Sequence, residues 1–430
     1  MRTRYFRYLF ENQDNGLFHS GCIYDKAKDK ITNYIYMVGS YCHNTLEKKA
    51  AGFEMQEDTI PHNIDLLVVG GYTAAYLKKL IYVVENHEIT TMILPYLAPI
   101  QRLILVQELE DYKDGGRKAV HFLQDPYLYL KRAGVENVYF LYKNGPALER
   151  EPEELERGCQ FEMADRQSLQ LIQEMEGYAI PVVKAGYIVE NGWLFYFGVY
   201  GIALQTLSAF TRDYFSQMEN IHEISENVNE DYVSQMKHLI QEYTRKFGTS
   251  PETTVTMFEG PLYASAAEND SFMSQKEFSR RERCEAWMQR QGEEHYSCAI
   301  KCMYCKDYDT MQHHKDKRQD QSRFGMLMLG NLNLNCYLSE MRSRFDRISG
   351  RIRGIGVPNC GNWREWNHKV MELSSKKDRM YWICGRNEKT SAGVVNDIVL
   401  SAQNNRFLTI DEEMGACFFG YLIPKTDGAK

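Results

Sequence analysis

The residues best suited to chemistry form a group of cysteines and histidines late in the chain. Cys298, Cys302 and Cys305 are followed by His313 and His314. A Cys-x-x-Cys pair with a further thiolate before it and an imidazole after it is a typical ligand set for tetrahedral zinc. Four protein ligands leave no open position, so a zinc ion held here would be structural. The segment is polar and would need such a cross-link to fold locally.

Two other interpretations of this group stay open. The three cysteines fall on one face if the segment is helical, and they would then be ordinary core thiols. Their Cys-x-x-x-Cys-x-x-Cys spacing also resembles that of radical enzymes built on an iron–sulfur cluster, although the surrounding pattern of elements does not match such enzymes.

A strand, a tight turn and a helix form a second candidate site. Asp65–Val69 is a short apolar run, as expected for a strand covered on both faces. Gly70 and Gly71 could simply be a turn that needs unusual backbone angles. Thr73–Glu85 has helical apolar spacing, and Thr91–Leu94 predicts the next strand. This order indicates a parallel crossover unit.

Other segments predict further elements on both sides of this unit. Turn signals at Asn15-Gly16 and Asn191-Gly192 predict hairpins. The acidic, polar stretch 144–173 predicts a surface excursion or mobile loop. Long amphipathic patterns predict helices at Thr206–Met218 and Val233–Phe247, and a shorter one predicts a helix at Trp363–Leu373.

Four segments, in order, resemble landmarks of the metallo-β-lactamase superfamily. Tyr36–Ser40 resembles the strand end Tyr-Asp-x-Gly-Ser, and Asp65–Val69 resembles the strand before the metal motif His-x-His-x-Asp-His. Leu327–Asn331 resembles a strand that ends in Gly-Asp, and Val357–Gly361 resembles Val-Pro-His-His-Gly. The resemblance implies an α/β (α+β) fold, namely a metallo-β-lactamase-like αββα sandwich with a helical excursion and a charged insert.

The same resemblance implies a division of the chain. Residues 1–263 would form the N-terminal half of the sandwich domain, with the helical excursion at about 204–250. Residues 264–323 would form the charged Cys/His insert, and residues 324–430 the C-terminal half of the same domain.

The metal ligands of that family are replaced in this chain. On the family pattern the ligand positions fall on neutral or basic residues, which are Gly71, Thr73, Ala75, Tyr76, Asn331, Asn359 or Cys360, and Lys389. A hydrolytic dinuclear site needs imidazoles and carboxylates, so the resemblance implies a degenerate cleft without a metal cofactor. Lined by Tyr72, Thr73, Tyr76 and Asn331, this cleft could bind a nucleotide without cleaving it.

The resemblance therefore implies a catalytically inactive protein that acts as a protein-interaction or sensing subunit. Relatives with this layout suggest a bacterial multi-protein system for antiphage defence, with one or more protein partners. The alternative is a divergent metal-dependent nuclease or phosphodiesterase whose ligands are relocated or supplied by a partner. Metal content would distinguish the two.

The net charge and the apolar pattern of the chain favour neither a nucleic-acid-binding nor a membrane-spanning protein. The formal charge of −7 gives no general indication of nucleic-acid binding. No apolar run is long enough for a membrane span, and no apolar signal core follows Met1, so we expect a cytoplasmic protein.

For two further groups of residues, an ordinary structural role is more usual than a functional one. A basic run near a predicted helix could meet phosphates, although a solvated helix face is the more usual arrangement; it contains Arg342, Arg344, Arg347, Arg351 and Arg353. Trp363 and Trp366 could form an exposed contact patch, but burial of at least one is more usual.

Overall fold

The computed structural model of the chain describes residues 3–12, 16–25, 28, 30–39, 62–110, 116–218, 228–247, 253–262, 266–274, 325–373, 380–385, 392–401, 405–410 and 414–422. Within these residues the protein is a mixed α/β structure around one large sheet, as the sequence predicts. No helix in the ranges just given has the length and apolar character needed to cross a membrane.

The sheet is one hydrogen-bonded set of 16 strands. In chain order the first eight strands are β1 Thr3–Asn12, β2 Gly16–Asp25, β3 Lys30–Val38, β4 Asn63–Val69, β5 Glu88–Pro95, β6 Asn137–Asn144, β7 Gly158–Met163 and β8 Val182–Glu190. The other eight are β9 Trp193–Gly201, β10 Thr253–Pro261, β11 Ala266–Ser274, β12 Gly325–Met328, β13 Ile352–Gly356, β14 Met380–Gly385, β15 Asn405–Ile410 and β16 Met414–Leu422. Their order is β11-β16-β1-β2-β3-β4-β5-β6-β8-β9-β10-β12-β13-β14-β15, and β7 pairs with β8.

The sheet folds over at the hairpin between β8 and β9. Asn191 and Gly192 form its turn with φ values of 50° and 76°, the left-handed region that the Asn-Gly signal predicts. On the far side of the turn, β9 pairs with β10. The hydroxyl of Tyr36 on β3 donates to the carbonyl of Val255 on β10 at 2.8 Å, so β3 and β10 face each other.

Helices cover both outer faces of the folded sheet. They are α1 Ala74–Asn86, α2 Pro99–Glu110, α3 Arg117–Gln124, α4 Pro126–Arg132, α5 Arg166–Glu176, α6 Leu204–Met218, α7 Val228–Phe247, α8 Leu334–Phe345 and α9 Ala392–Ser401. One hydrophobic cluster packs β3–β6 against α1–α7, and another packs β12–β14 against α8 and α9. A third lies between the two sheet halves. The layers are therefore helices, sheet, sheet and helices.

The crossover unit and the two long helices are confirmed. β4 and β5 are parallel, and α1 connects them along the chain. Helices α6 and α7 occupy the predicted helical excursion. Of the two interpretations of residues 144–173, the mobile loop is wrong, because this stretch contains β7 and most of α5. Strand β7 pairs with β8 outside the main strand order and is mostly at the surface, which is compatible with a surface excursion.

The predicted helix at Trp363–Leu373 is only partly correct. A 3-10 helix covers His368–Leu373, and turns precede it. The side chain of Asn362 accepts the backbone N–H of Arg364, and that of Asn367 accepts the N–H of Lys369. Such local bonds compete with helical ones, which explains why no α-helix starts here.

Little of the predicted insert falls within the described residues. Residues 266–274 form β11, which pairs antiparallel with β16. Cys298, Cys302, Cys305, His313 and His314 all lie outside the described residues, and so the zinc site stays a prediction.

Candidate functional site

The candidate site begins where β4 ends against two other strands. The N–H of Gly70 donates to the carbonyl of Met37 on β3 at 2.7 Å, and its own carbonyl accepts from Val255 on β10 at 2.9 Å. A Cβ on Gly70 would lie 2.3 Å from the hydroxyl oxygen of Tyr36. Neither Gly70 nor Gly71 has a positive φ. Close approach of a neighbouring side chain, rather than an unusual backbone angle, therefore requires glycine at position 70.

Asn331, in the loop after β12, lies beside Gly71. The preceding Gly330 has a φ of 60°, and a Cβ there would lie 2.6 Å from the Tyr36 hydroxyl. The side-chain amide of Asn331 donates to the carbonyl of Gly39 at 2.5 Å. A Cβ on Gly71 would lie 3.5 Å from the same amide nitrogen, so these two positions are neighbours.

Thr73 and Tyr76 occupy the start of α1 beside the same strand ends. The hydroxyl of Thr73 accepts the N–H of Tyr76 at 3.3 Å and caps the helix. A Cβ on Gly39 would lie 2.6 Å from the Cβ of Tyr76, which shows how closely β3 passes over this side chain. Tyr76 is buried, and burial raises the pKa of its hydroxyl well above the ordinary value. That hydroxyl has no hydrogen-bond partner among the described residues.

Asn359 completes the group from the loop after β13. Its φ is 49°, a left-handed value that asparagine tolerates better than most residues. Its N–H donates to the carbonyl of Gly330 at 3.1 Å, and its side-chain amide donates to Glu365. Glu365 was not singled out in the sequence, because its link to Asn359 depends on the turn that follows β13.

The remaining predicted positions are placed differently. Tyr72 lies in the helix-side core, with its ring 6.1 Å from that of Phe122, so it does not line the cleft with Asn331. The backbone of Ala75 belongs to the first turn of α1, and that of Cys360 belongs to a 3-10 turn at Pro358–Gly361. Lys389 lies outside the described residues.

Apart from one carboxylate, the polar side chains of the site are therefore neutral. Amides from Asn331 and Asn359 and hydroxyls from Thr73 and Tyr76 are its polar side chains, together with the carboxylate of Glu365. Neutral amide and hydroxyl groups are weak ligands for zinc and better suited to polar organic groups. In the part of the chain that the structure describes, no set of three or more His, Cys, Asp and Glu side chains is arranged to hold a metal ion.

A separate charged cluster lies between the two sheet halves. Arg7 on β1, His19 on β2 and Glu259 on β10 are each fully buried. The carboxylate of Glu259 lies 2.8 Å from Arg7 Nε and accepts from Trp193 Nε1 at 2.7 Å, and His19 Nε2 lies 3.4 Å from it. The Tyr34 ring is 5.5 Å from that of His19. No local sequence pattern predicts this cluster, since Arg7 and Glu259 are 252 positions apart.

The cluster shifts the ionisation of its members. Burial lowers the pKa of His19 below its ordinary value of 6.5 and outweighs the opposite effect of Glu259. Burial alone would raise the pKa of Glu259, but Arg7, His19 and Trp193 together bring it below the ordinary value. At neutral pH the cluster therefore contains a charged Arg7–Glu259 pair beside a neutral histidine.

Compared with family models, with curated proteins and with solved structures, the chain shows no match. The superfamily assignment therefore stays a prediction from sequence landmarks.

Proposed function

We propose that this chain is a non-hydrolytic relative of the metallo-β-lactamase-like hydrolases and works as a binding or sensing subunit. The observation that carries the proposal is the set of side chains at the ends of β4 and β12. Where such a hydrolase needs imidazoles and carboxylates, this chain has Gly71, Thr73, Tyr76 and Asn331. The layered helix–sheet–sheet–helix arrangement is consistent with the same ancestry.

The contacts of these side chains support the proposal further. The amide of Asn331 is bonded to the carbonyl of Gly39, and the hydroxyl of Thr73 caps α1. Tyr76 fills the space beneath Gly39. A divalent cation entering here would lose its water shell to neutral groups that already hold the strands and helix together, which is unfavourable.

A protein with this site would act through recognition rather than turnover. Its partners would be one or more proteins of a multi-component system, and the resemblance suggests antiphage defence as the setting. The alternative, a nuclease or phosphodiesterase with relocated or partner-supplied ligands, makes a different experimental prediction and is tested by the same experiment.

The experiment measures metal content and hydrolysis of the purified full chain, expressed with added zinc, manganese and iron. We expect no turnover of bis(4-nitrophenyl) phosphate, a single-stranded DNA or nitrocefin above a blank without protein, in the wild type or in Asn331→Ala. We also expect no metal beyond that lost in a variant with Cys298, Cys302 and Cys305 changed to serine. Thermal melting checks that both variants are folded.

Two metal ions per chain that persist in the cysteine variant would contradict the proposal. Turnover that depends on those ions and falls in Asn331→Ala would favour the hydrolase. Turnover insensitive to Asn331→Ala would place a relocated site elsewhere, and it would equally overturn a non-hydrolytic role.

A further inference from the structure

The loop after β13 presents an indole ring to solvent at the edge of the candidate site. Trp363 is 65% exposed, whereas Trp193 and Trp382 are fully buried and Trp366 is 9% exposed. We call residues 362–369 the rim loop. The sequence pattern left open whether Trp363 and Trp366 form a contact patch or a core, and the structure divides them: Trp363 faces solvent and Trp366 faces the core.

Hydrogen bonds fix the backbone that carries this ring. The carbonyl of Asn362 accepts the N–H of Glu365 at 3.2 Å, and the carbonyl of Arg364 accepts the side-chain amide of Asn335 at 2.8 Å. The carbonyl of Glu365 accepts the N–H of Leu334, the first residue of α8, at 2.9 Å. Because the backbone is already ordered, stacking a ligand on Trp363 would cost little conformational entropy.

The charge of the rim loop is locally positive in a chain of net charge −7. Arg364, His368 and Lys369 are exposed. Their side chains form no ion pair or hydrogen bond with any residue that the structure describes.

The neighbouring carboxylates are already engaged. Glu365 accepts from the amide of Asn359, and Glu372 pairs with Arg342. Asp397 accepts the indole N–H of Trp366 at 3.0 Å. Among the described residues, Arg364 and Lys369 are therefore cations without a carboxylate partner, and they can meet an anionic ligand.

We propose that the rim loop binds a nucleotide, with the base stacked on Trp363 and the phosphate neutralised by Arg364 and Lys369. An exposed indole is a stacking surface that accepts any nucleobase, and unpaired guanidinium and ammonium groups are strong phosphate partners. This site lies outside the degenerate cleft, and the proposal does not depend on a non-hydrolytic ancestry.

A nucleotide fits the loop better than an acidic protein surface does. Protein interfaces have a contiguous apolar core, whereas Trp363 is the one large apolar side chain exposed in residues 362–369. One exposed aromatic face, with Arg364 next to it in the chain and Lys369 in the same loop, offers the chemistry that a base and its phosphate require. The ligand could be a free nucleotide or a unit of a single-stranded nucleic acid, since both present this chemistry.

The experiment titrates the full chain with a fluorescein-labelled 12-nucleotide poly(dT) or poly(U), with unlabelled mononucleotides, and with a poly-glutamate peptide. We expect Trp363→Ala to weaken nucleotide binding roughly 10-fold or more, and Trp363→Phe to retain most of it. The double variant Arg364→Ala/Lys369→Ala should weaken binding and reduce its salt dependence. The double variant Lys118→Ala/Arg245→Ala removes two exposed cations, on α3 and α7, that pair with Glu85 and Glu242; it is the charge-matched control and should behave as wild type.

Comparing the oligonucleotide with the mononucleotides distinguishes the two possible ligands, a nucleic-acid strand and a free nucleotide. Tighter binding of the oligonucleotide than of any mononucleotide identifies a nucleic-acid strand, and equal binding identifies the free nucleotide. The proposal is overturned if neither binds, if binding is unchanged in both sets of variants, or if only poly-glutamate binds through these residues. A hydrolase result in the metal assay would leave this proposal untouched, so the two can fail separately.

Discussion

Glu259 shows how the interior between the two sheet halves accommodates a charge. Its carboxylate is held by Arg7 and Trp193, and the Arg7 guanidinium also lies over the indole of Trp193 at 5.0 Å. Removing one partner of such a buried pair typically costs about 3–5 kcal/mol, because the other charge is left uncompensated. The pair therefore ties β1 to β10 by a contact that fails if either side chain is replaced alone.

His19 should make stability fall in mild acid. Its folded-state pKa lies below 6.5, so at lower pH the unfolded chain binds a proton that the folded chain excludes. Its contribution is therefore present above pH 6.5 and is lost as the pH falls below it, by up to about 1.4 kcal/mol per pH unit. The lowered pKa of Glu259 acts in the same direction at still lower pH.

This prediction is checked by urea unfolding at a series of pH values from 7.5 to 5.5. His19→Gln should flatten the dependence, whereas His121→Gln, which changes an exposed histidine on α3, should leave it as in wild type. An equal slope in His19→Gln and wild type would show that His19 does not control this transition.

Arg344 differs from the solvated helix face expected for its basic run. Its guanidinium is buried on α8 and lies 4.3 Å over the ring of Tyr196. It donates to four backbone carbonyls, with N–O distances of 2.6–3.0 Å, which belong to Gly145, Pro146, Ala185 and Phe197. The planar fork of arginine is suited to this task, and the single ammonium of lysine is not.

Replacing Arg344 by lysine should therefore destabilise the protein by about 2–4 kcal/mol, because several buried carbonyls lose their donor. Arg342→Lys, at a partly exposed position on the same helix, should change stability by less than about 0.5 kcal/mol. Chemical denaturation measures both variants. Similar values for the two would mean that the Arg344 contacts contribute little to stability.

At the scale of elements, the two glycines between β4 and α1 should differ in how much an alanine substitution destabilises the protein. Gly70→Ala should destabilise by about 1–3 kcal/mol, since the new methyl group would meet the Tyr36 hydroxyl at 2.3 Å and force β3 or β10 to shift. Gly71→Ala should be nearly neutral, because its closest neighbour would lie at 3.5 Å. Thermal unfolding compares the two, and a larger loss in Gly71→Ala would contradict the stated geometry.

Elements with strong local signals were predictable from the sequence. Asn191 and Gly192 adopt the left-handed angles that their types favour, and the apolar spacing of Thr73–Glu85 matches α1 within a residue at each end. Helix α5, in the stretch 144–173, has only a weak local signal. It buries only Ser168 and Ile172 completely, so its apolar pattern is thin within an acidic stretch.

The contacts within the candidate site were not predictable in the same way. The order of strand ends predicts that the residues after β4 and β12 lie near each other. It does not predict that Asn331 bonds to Gly39, 292 positions away, or that Tyr72 packs against α3 instead of facing the cleft. Such pairings depend on how side chains fill the space between the layers, and no local sequence pattern encodes that packing.

At the scale of the whole molecule, the degenerate site and the rim loop lie at the same end of the sheet. The carboxyl ends of β3, β4 and β12 meet there, and the rim loop is attached through Asn359 to Gly330. The Arg7–Glu259 pair lies farther along β10, toward Pro261. Binding at one end can therefore change without disturbing the contact that joins β1 to β10.

The order of the strands also bears on solubility. Within the described residues, the outermost members of the ladder are β11 and β15, and β7 has β8 as its sole neighbour. Every other strand has both sides occupied, so few backbone amides are left to recruit a foreign chain. Aggregation of this protein on ageing or heating should therefore start at the edge strands β7, β11 and β15. A lysine or proline introduced into one of these strands should reduce it.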